Sequence, residues 1–122
     1  MGHFFIDCEI EHIGDAKKTA KVSNLLVDSG SEYTWIAEET LRKLGVKVEK
    51  KDTEFQMANG QTITRPIGFA IIQVDKFRTV DEVVFAEKGD LLLLGARTLE
   101  GLSLTVDSRK KVLVAAGPLP AA

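Results

Sequence analysis

One aspartate stands where the sequence leaves an apolar strand, and it is the strongest candidate for chemistry. Asp28 follows the apolar run at residues 25–27 and is followed directly by Ser29 and Gly30. A carboxylate beside so apolar a run is costly unless something nearby uses it. Ser29 can hydrogen-bond across a tight turn, and Gly30 lets a backbone or a substrate approach the carboxylate closely. For this tripeptide alone, an Asx-turn in a β-bend is the simpler interpretation.

Other catalytic arrangements have less support in the sequence. Ser29 and Ser31 have no plausible histidine partner, because His3 and His12 are well separated and lie near the N-terminus. The same two histidines are too far apart to resemble metal ligands. Cys8 is the only cysteine, which rules out an internal disulfide and a thiolate cluster for zinc. We therefore predict no metal and no cofactor.

A second aspartate, Asp107, repeats part of the Asp28 pattern. It also follows a valine and precedes a serine, but the next residue is Arg109 rather than glycine. Residues 107–110 are typical of a turn between two strands. We therefore predict a structural role for Asp107 and expect the chain to carry one catalytic aspartate.

The elements that position Asp28 are predicted to be mainly β-strands. Residues 3–13 alternate between apolar and polar side chains, which is typical of a half-buried strand. The strand at residues 19–27 becomes apolar on both faces towards its end and is expected to lie deep in the sheet. Further strands are predicted at residues 67–72, 80–85, 91–94, 102–106 and 112–114.

Two helical segments are predicted among these strands. The main helix spans residues 36–44, where acidic residues come first and basic residues last, as the helix dipole favours. Gly45 stands where a left-handed residue ends a helix. A helical turn is predicted at residues 96–100. About seven short strands in so short a chain favour a small closed β-barrel, because so many strands must protect their edges.

A hairpin is predicted at Asn59-Gly60. This dipeptide is the strongest short hairpin signal, because a type I′ turn needs positive φ at both central residues. The flanking strands are predicted at residues 55–58 and 61–64. Pro66 cannot donate a backbone hydrogen bond and is expected at a sheet edge or a break.

Length and charge limit the class of protein. The 122 residues indicate one domain over residues 1–122, with a core at about 3–114 and a tail at 115–122. The formal net charge of −2 argues against nucleic-acid binding, and the basic run at residues 109–111 is more typical of a solvated corner. Because no apolar run is long enough to cross a membrane, we expect no membrane contact and a cytoplasmic location.

The order of these features resembles the retropepsin-like aspartic proteases, in particular the small single-lobe members found outside retroviruses. The family pattern has two apolar residues before Asp-Thr/Ser-Gly, then a helix, a flap hairpin, and a strand that ends in two apolar residues and a glycine before a second helix. The resemblance covers about residues 5–114. The matching parts are Leu26-Val27-Asp28-Ser29-Gly30, the helix to residue 44, Ala58-Asn59-Gly60, and Leu93-Leu94-Gly95 before residues 96–99.

The resemblance implies a role for the residues around the aspartate. Ser29, which replaces the commoner threonine, would bond across a dimer axis. Gly30 would present its backbone to an extended peptide. Leu93, Leu94 and Gly95 would support the aspartate loop and help to line an apolar pocket.

The resemblance also implies that the hairpin Ala58-Asn59-Gly60 is a flap that closes over the peptide and excludes water. Other residues are possible members of the pocket, although each is more typical of the core or of a barrel surface. These are Trp35, Met57 and Ile63.

The implied activity is hydrolysis of peptide bonds by an aspartic endopeptidase. Amide hydrolysis by carboxylates needs two of them sharing one proton, one to activate water and one to polarise the carbonyl. Because the chain has one Asp-Ser-Gly, a homodimer would supply the second Asp28 across a two-fold axis. The alternative is a protease-like β-barrel that has lost catalysis and serves as a dimerisation or peptide-binding module. The sequence favours the enzyme, since an inactive relative need not retain Asp28 beside Ser29 and Gly30.

Overall fold

Strands dominate the computed structural model, which describes residues 3–121. Within those residues lie nine strands and two short helices. The predicted mainly β architecture is confirmed. In chain order the elements are β1 (Phe5–His12), β2 (Asp15–Val27), β3 (Thr34–Ala37), α1 (Glu38–Lys43), β4 (Val48–Gln56), β5 (Thr62–Val74), β6 (Phe77–Ala86), β7 (Leu93–Leu94), α2 (Ala96–Gly101), β8 (Leu104–Asp107) and β9 (Val112–Ala115).

Seven of these strands belong to one sheet, which curls round into a ring. Their order is β1-β2-β7-β3-β6-β5-β4, and β1 also pairs with β5. β5 is long enough for both neighbours, because residues 62–68 pair with β4 and residues 71–73 pair with β1. Pairing round the ring leaves few strand edges open to other chains. β8 and β9 form a separate two-stranded hairpin.

The short strand β7 sets the geometry that matters for the site. It lies between β2 and β3, parallel to β2 and antiparallel to β3. Because β2 and β7 are parallel, their carboxyl ends meet at the same edge of the sheet. Asp28 directly follows β2 and Gly95 directly follows β7, so the two loops that begin there lie side by side.

Two apolar clusters stabilise the sheet, one on each of its faces. Neighbouring residues of a strand point to opposite faces, and accordingly Leu94 packs in the larger cluster whereas Leu93 packs in the smaller one. Phe55 and Ile63, from β4 and β5, cover the smaller cluster. The smaller cluster is built on Trp35, Ile67, Val84, Ala86 and Leu93.

The helix predicted at residues 36–44 is shorter in the structure. Ile36 and Ala37 belong to β3, where they pair with β6, and α1 begins only at Glu38. A short buried apolar run has no periodicity that separates strand from helix, which is why the sequence pattern missed β3. The predicted helical turn at residues 96–100 corresponds to α2. Neither helix within residues 3–121 is long and apolar enough to cross a membrane.

The end of α1 is as predicted. Gly45 has a φ of 77°, in the left-handed region. The N–H groups of Gly45 and Val46 donate to the carbonyls of Arg42 and Leu41, each at 3.0 Å. This pair of bonds is the Schellman arrangement, which satisfies carbonyls that the helix itself leaves free.

The hairpin around Asn59-Gly60 is present, but the predicted type I′ turn is wrong. The N–H of Gly60 donates to the carbonyl of Met57 at 2.9 Å, so Ala58 and Asn59 are the central residues of the turn. Of the predicted pair, only Gly60 has positive φ, at 85°. Asn59 instead uses its side chain, whose Oδ1 accepts the N–H of Gln61 at 2.9 Å. A turn followed by a left-handed glycine is another common short hairpin connection.

Pro66 lies within β5, opposite a break in its pairing with β4. Arg65 pairs with Thr53 and Ile67 pairs with Lys50, so the register shifts across Pro66. The missing N–H of proline therefore falls where the ladder is already irregular. The predicted break is confirmed.

Several strands have other bounds than the sequence indicates, and β2 and β7 lead directly to the site. β2 begins at Asp15 rather than at residue 19, because the chain pairs with β1 from the turn onwards. β7 contains only Leu93 and Leu94, whereas Leu91 and Leu92 are exposed.

An ion pair holds the turn that leads into β7. Arg65 of β5 donates to both carboxylate oxygens of Asp90, at 2.7 and 2.9 Å. The Asp90 carboxylate also accepts the N–H of Glu87 at 2.8 Å, which closes the turn at residues 87–90. Both charged side chains are 14% exposed, and the Arg65 guanidinium lowers the pKa of Asp90. The second strand of the hairpin is thereby fastened to the approach to β7.

Asp90→Asn is expected to lower the free energy of unfolding by about 1–3 kcal/mol at neutral pH, because a charged hydrogen-bonded pair is lost. Since the pKa of Asp90 is lowered by folding, its contribution is present above the unfolded value of about 3.9 and disappears as the pH falls through the folded value. The free energies of unfolding of the wild-type chain and of Asp90→Asn should therefore converge in acid. Urea unfolding across this pH range measures the effect, with the exposed substitution Asp52→Asn as the control. An equal difference at neutral pH and at about pH 3 would contradict the assignment.

Candidate active site

Asp28 is positioned by the backbone of β7. Its N–H donates to the carbonyl of Leu94 at 3.0 Å, and the N–H of Leu26 donates to the carbonyl of Leu92 at 3.2 Å. These bonds continue the parallel ladder between the two strands up to the aspartate itself. The main chain at Asp28 is therefore held by a buried strand, which restricts where its side chain can lie.

The loop after Asp28 orients the carboxylate. The N–H of Gly30 donates to Oδ1 of Asp28 at 3.0 Å, and the N–H of Ser31 donates to the Asp28 carbonyl at 3.2 Å. The side chain forms the predicted Asx-type turn, yet it stays partly exposed. The turn and the proposed chemistry are compatible, because one carboxylate oxygen is fixed by a backbone donor while the residue still borders a cavity.

Gly95 lets the second loop pack against the first. A Cβ at this position would lie 2.3 Å from the carbonyl oxygen of Tyr33, a distance that no side chain allows. Immediately afterwards, the N–H groups of Ala96 and Arg97 donate to the carbonyls of Ser31 and Glu32, at 2.7 and 3.1 Å. The free N–H groups at the start of α2 are thus satisfied by the aspartate loop.

A chain of buried hydroxyl groups supports this junction. The N–H of Gly95 donates to Oγ1 of Thr34 at 3.0 Å, and that atom lies 2.6 Å from Oγ1 of Thr98. Thr98 donates its single proton to Asp81 at 2.8 Å, so the proton between the two threonines must come from Thr34. Both threonines are fully buried, and each of their hydroxyl groups takes part in two of these hydrogen bonds.

A cavity of about 570 Å³ lies above Asp28, between the aspartate loop and the β4–β5 hairpin. Tyr33 lines it on the loop side, and Phe55 and Met57 line it on the hairpin side. The Phe55 ring meets Tyr33 edge-on at 5.5 Å and lies 5.0 Å from Trp35, between ring centroids. The cavity therefore has an aromatic wall next to a carboxylate.

The predicted site residues divide into two groups around this cavity. Ser29 and the tip of the hairpin are exposed, whereas Leu94 and Gly95 are buried behind the aspartate loop. Of the possible pocket members, Trp35 and Met57 line the cavity, and Ile63 packs beneath the hairpin. The predicted residues that line the cavity are Asp28, Gly30, Ala58 and Leu93. Those placed around it are Ser29, Asn59, Gly60, Leu94 and Gly95.

Sequence reasoning missed four residues that shape the site. Phe55 and Tyr33 form the aromatic wall, and Thr34 and Thr98 hold the two loops together. The position of Phe55 just before the hairpin was a usable signal. No local pattern marks the two threonines, because they bond to each other across 64 positions of the sequence.

The other groups considered in the sequence, Asp107, Cys8 and possible metal ligands, are not arranged for catalysis. Asp107 accepts the N–H groups of Arg109 and Lys110, each at 3.1 Å, which closes the turn between β8 and β9 as predicted. Burial raises the pKa of the Cys8 thiol to about 12, which disfavours thiolate chemistry. Among residues 3–121, no three side chains of His, Cys, Asp or Glu gather as a metal site would require.

Comparison with known proteins identifies a family and similar solved structures. Residues 16–101 match the family described as "gag-polyprotein putative aspartyl protease". The fold is similar to the retroviral protease-like domain of Ddi1 from Leishmania major, with a TM-score of 0.62 and 15% sequence identity over 94% of this chain and 89% of that one. This likeness confirms the predicted retropepsin-like fold. No curated protein matches the sequence at a significant level.

Thr34→Val is expected to lower the free energy of unfolding by about 1–3 kcal/mol, because the buried N–H of Gly95 loses its acceptor while the volume is conserved. The control is Thr105→Val on the exposed face of β8, which should change stability by less than about 0.5 kcal/mol. Urea unfolding of both variants measures the difference. Equal small effects would show that the hydroxyl chain does not stabilise the junction.

Proposed function

Because the chain belongs to the gag-polyprotein aspartyl protease family, we propose that it is an aspartic endopeptidase whose catalytic residue is Asp28. The observation that carries the proposal is the position of this carboxylate. It stands where the ends of β2 and β7 meet, with one oxygen held by the N–H of Gly30 and a cavity above it.

The reaction proposed is general acid–base hydrolysis of a peptide bond. One carboxylate takes a proton from water, which attacks the peptide carbonyl, while a protonated second carboxylate donates a hydrogen bond to the carbonyl oxygen. A carboxyl group of the pair then gives a proton to the amide nitrogen, so that the C–N bond breaks and the amine leaves. Since two carboxylates about 3 Å apart cannot both ionise, the pair shares one proton. We expect activity to peak on the acid side of neutrality and to fade when that proton is lost.

A second copy of the chain would supply the second carboxylate. A two-fold interface brings Asp28 to its own image without any further catalytic residue. Ser29 is exposed, which suits a contact across the axis. Gly30, exposed beside the carboxylate, would let a peptide backbone pass close to it.

The β4–β5 hairpin is proposed as the flap. Met57 and Ala58 line the cavity, while Asn59 and Gly60 are exposed and lie outside its lining. Closing this hairpin over an extended peptide would exclude water and strengthen the electrostatic contacts below. Leu93 would form part of the apolar floor, and Leu94 and Gly95 would support the loop from behind.

Asp28→Asn is expected to reduce peptidase activity by at least about a hundredfold while leaving the chain folded, because the shared proton and the base are both lost. Asp107→Asn is the matched control, since it removes a carboxylate that follows a valine and precedes a serine in the same way. Hydrolysis of a fluorescence-quenched peptide library in mildly acidic buffer measures activity, and circular dichroism checks folding.

Wild-type rates in Asp28→Asn would refute the catalytic assignment. A wild-type chain that binds a statine peptide yet cleaves nothing would instead support the alternative of a silent peptide-binding module. Sensitivity to chelators together with full activity in alkaline buffer would indicate a metallopeptidase.

Gly60→Val is expected to lower turnover per folded dimer several-fold, because a β-branched residue opposes the φ of 85° and alters the movement of the hairpin. Gly45→Val is the control, with a φ of 77° at the end of α1, away from the cavity. Both should lose about 1–3 kcal/mol of stability. Turnover normalised to the folded fraction separates the two, and equal normalised rates would exclude a flap.

A further inference from the structure

The carboxylate of Glu82 joins two cations that come from different elements. Its side chain is 13% exposed, with Nζ of Lys50 at 2.6 Å from Oε1 and Nη1 of Arg97 at 3.0 Å from Oε2. No hydrogen bond of good geometry reaches Oε1 from the described residues, so the Lys50 contact acts as an ion pair. Lys50 first, and also Arg97, lower the pKa of Glu82 against the opposing effect of burial. The carboxylate is therefore ionised in mild acid.

Arg97 connects Glu82 to the aspartate loop. Its backbone N–H donates to the carbonyl of Glu32, and its guanidinium lies 4.9 Å from the centroid of the Tyr33 ring. A planar cation is attracted to the face of an aromatic ring. Tyr33 lines the cavity beside Asp28, so the Glu82–Arg97 pair positions the Tyr33 half of the aromatic wall.

Lys50 connects Glu82 to the strand that leads into the hairpin. In β4, the pairing with β5 is irregular on both sides of Lys50, between Val48 and Lys50 and again between Lys50 and Thr53. The backbone ladder alone therefore holds this part of the strand weakly. Further along the same strand, Phe55 forms the other half of the aromatic wall, in edge contact with Tyr33.

We propose that Glu82 is a positioning residue of the proposed peptidase, which holds the Tyr33 and Phe55 rings together as the single aromatic wall against which an extended peptide packs. The inference rests on the proposed function and deepens it. Glu82 acts through the two rings, since the cavity lining contains these rings and neither Lys50 nor Arg97. An ion pair of this kind adds little stability compared with apolar packing, whereas it defines the distance between two elements. Removing the charge of Glu82 should weaken peptide binding in the ground state and the transition state alike.

The test is Glu82→Gln, which keeps the shape of the side chain and removes its charge. The probe is a fluorescence-quenched peptide selected from a mixed library by cleavage with the wild-type chain. KM is expected to rise roughly five- to tenfold with kcat within about twofold, which is the sign of lost uniform binding. Trp35 is the only tryptophan and lines the cavity, so its emission spectrum should shift in the variant without substrate.

The matched control is Glu11→Gln, which removes a carboxylate that is 14% exposed and paired with Arg78 at 3.1 Å, away from the cavity. It should leave KM and the Trp35 spectrum unchanged. If Glu82→Gln fails to fold, Lys50→Met tests the same connection, since Lys50 is 53% exposed and its loss leaves the Arg97 pair intact.

Three outcomes decide the inference. A higher KM with preserved kcat in Glu82→Gln or Lys50→Met, and none in Glu11→Gln, supports it. Unchanged KM, or the same change in the control, overturns it while the proposed function stands. A wild-type chain that neither cleaves the library nor binds a statine peptide overturns the proposed function, and this inference with it.

Discussion

The site depends on one close approach of two backbones. A Cβ on residue 95 would lie 2.3 Å from the carbonyl oxygen of Tyr33, so only glycine lets the end of β7 pass so near the loop that follows Asp28. From that point α2 begins, and its first N–H groups bond to carbonyls of the same loop. The parallel ladder between β2 and β7 then carries the position of Asp28 into the core. Backbone groups of buried elements thus determine the position of Asp28, and these elements move little.

Two polar networks surround this junction, and they differ in burial and in consequence. The hydroxyl chain from Thr34 through Thr98 to Asp81 is enclosed, and a missing partner there would leave a buried donor unsatisfied. The network around Glu82 is charged and reaches the surface through Lys50 and Arg97. Solvent screens its energy, so its main effect is on geometry. The inner network holds the aspartate loop, and the outer one connects that loop to the strand of the hairpin.

Much of the fold follows from local pattern. Alternation of apolar and polar residues predicted β1, the dipeptide Asn59-Gly60 predicted a hairpin, and Gly45 predicted the end of α1. Errors occurred where several local solutions fit the same residues. The run at residues 34–37 reads equally as strand or helix, and pairing with β6 decides for strand. The hairpin turn likewise depends on whether the asparagine takes positive φ or uses its side chain, and here the bond to Gln61 decided.

The sequence by itself determined the candidate aspartate, its small-residue loop, the hairpin and the order in which these follow one another. Only the tertiary structure decided that the hairpin lies above Asp28, that Tyr33 and Phe55 meet beside it, and that Glu82 connects their two elements. The physical reason is the range of the interactions. Turns, caps and strand alternation arise between residues a few positions apart, so a short stretch of sequence is enough to specify them. Contacts such as that between Thr34 and Thr98 join residues far apart in the chain, and no pattern in either segment names its partner.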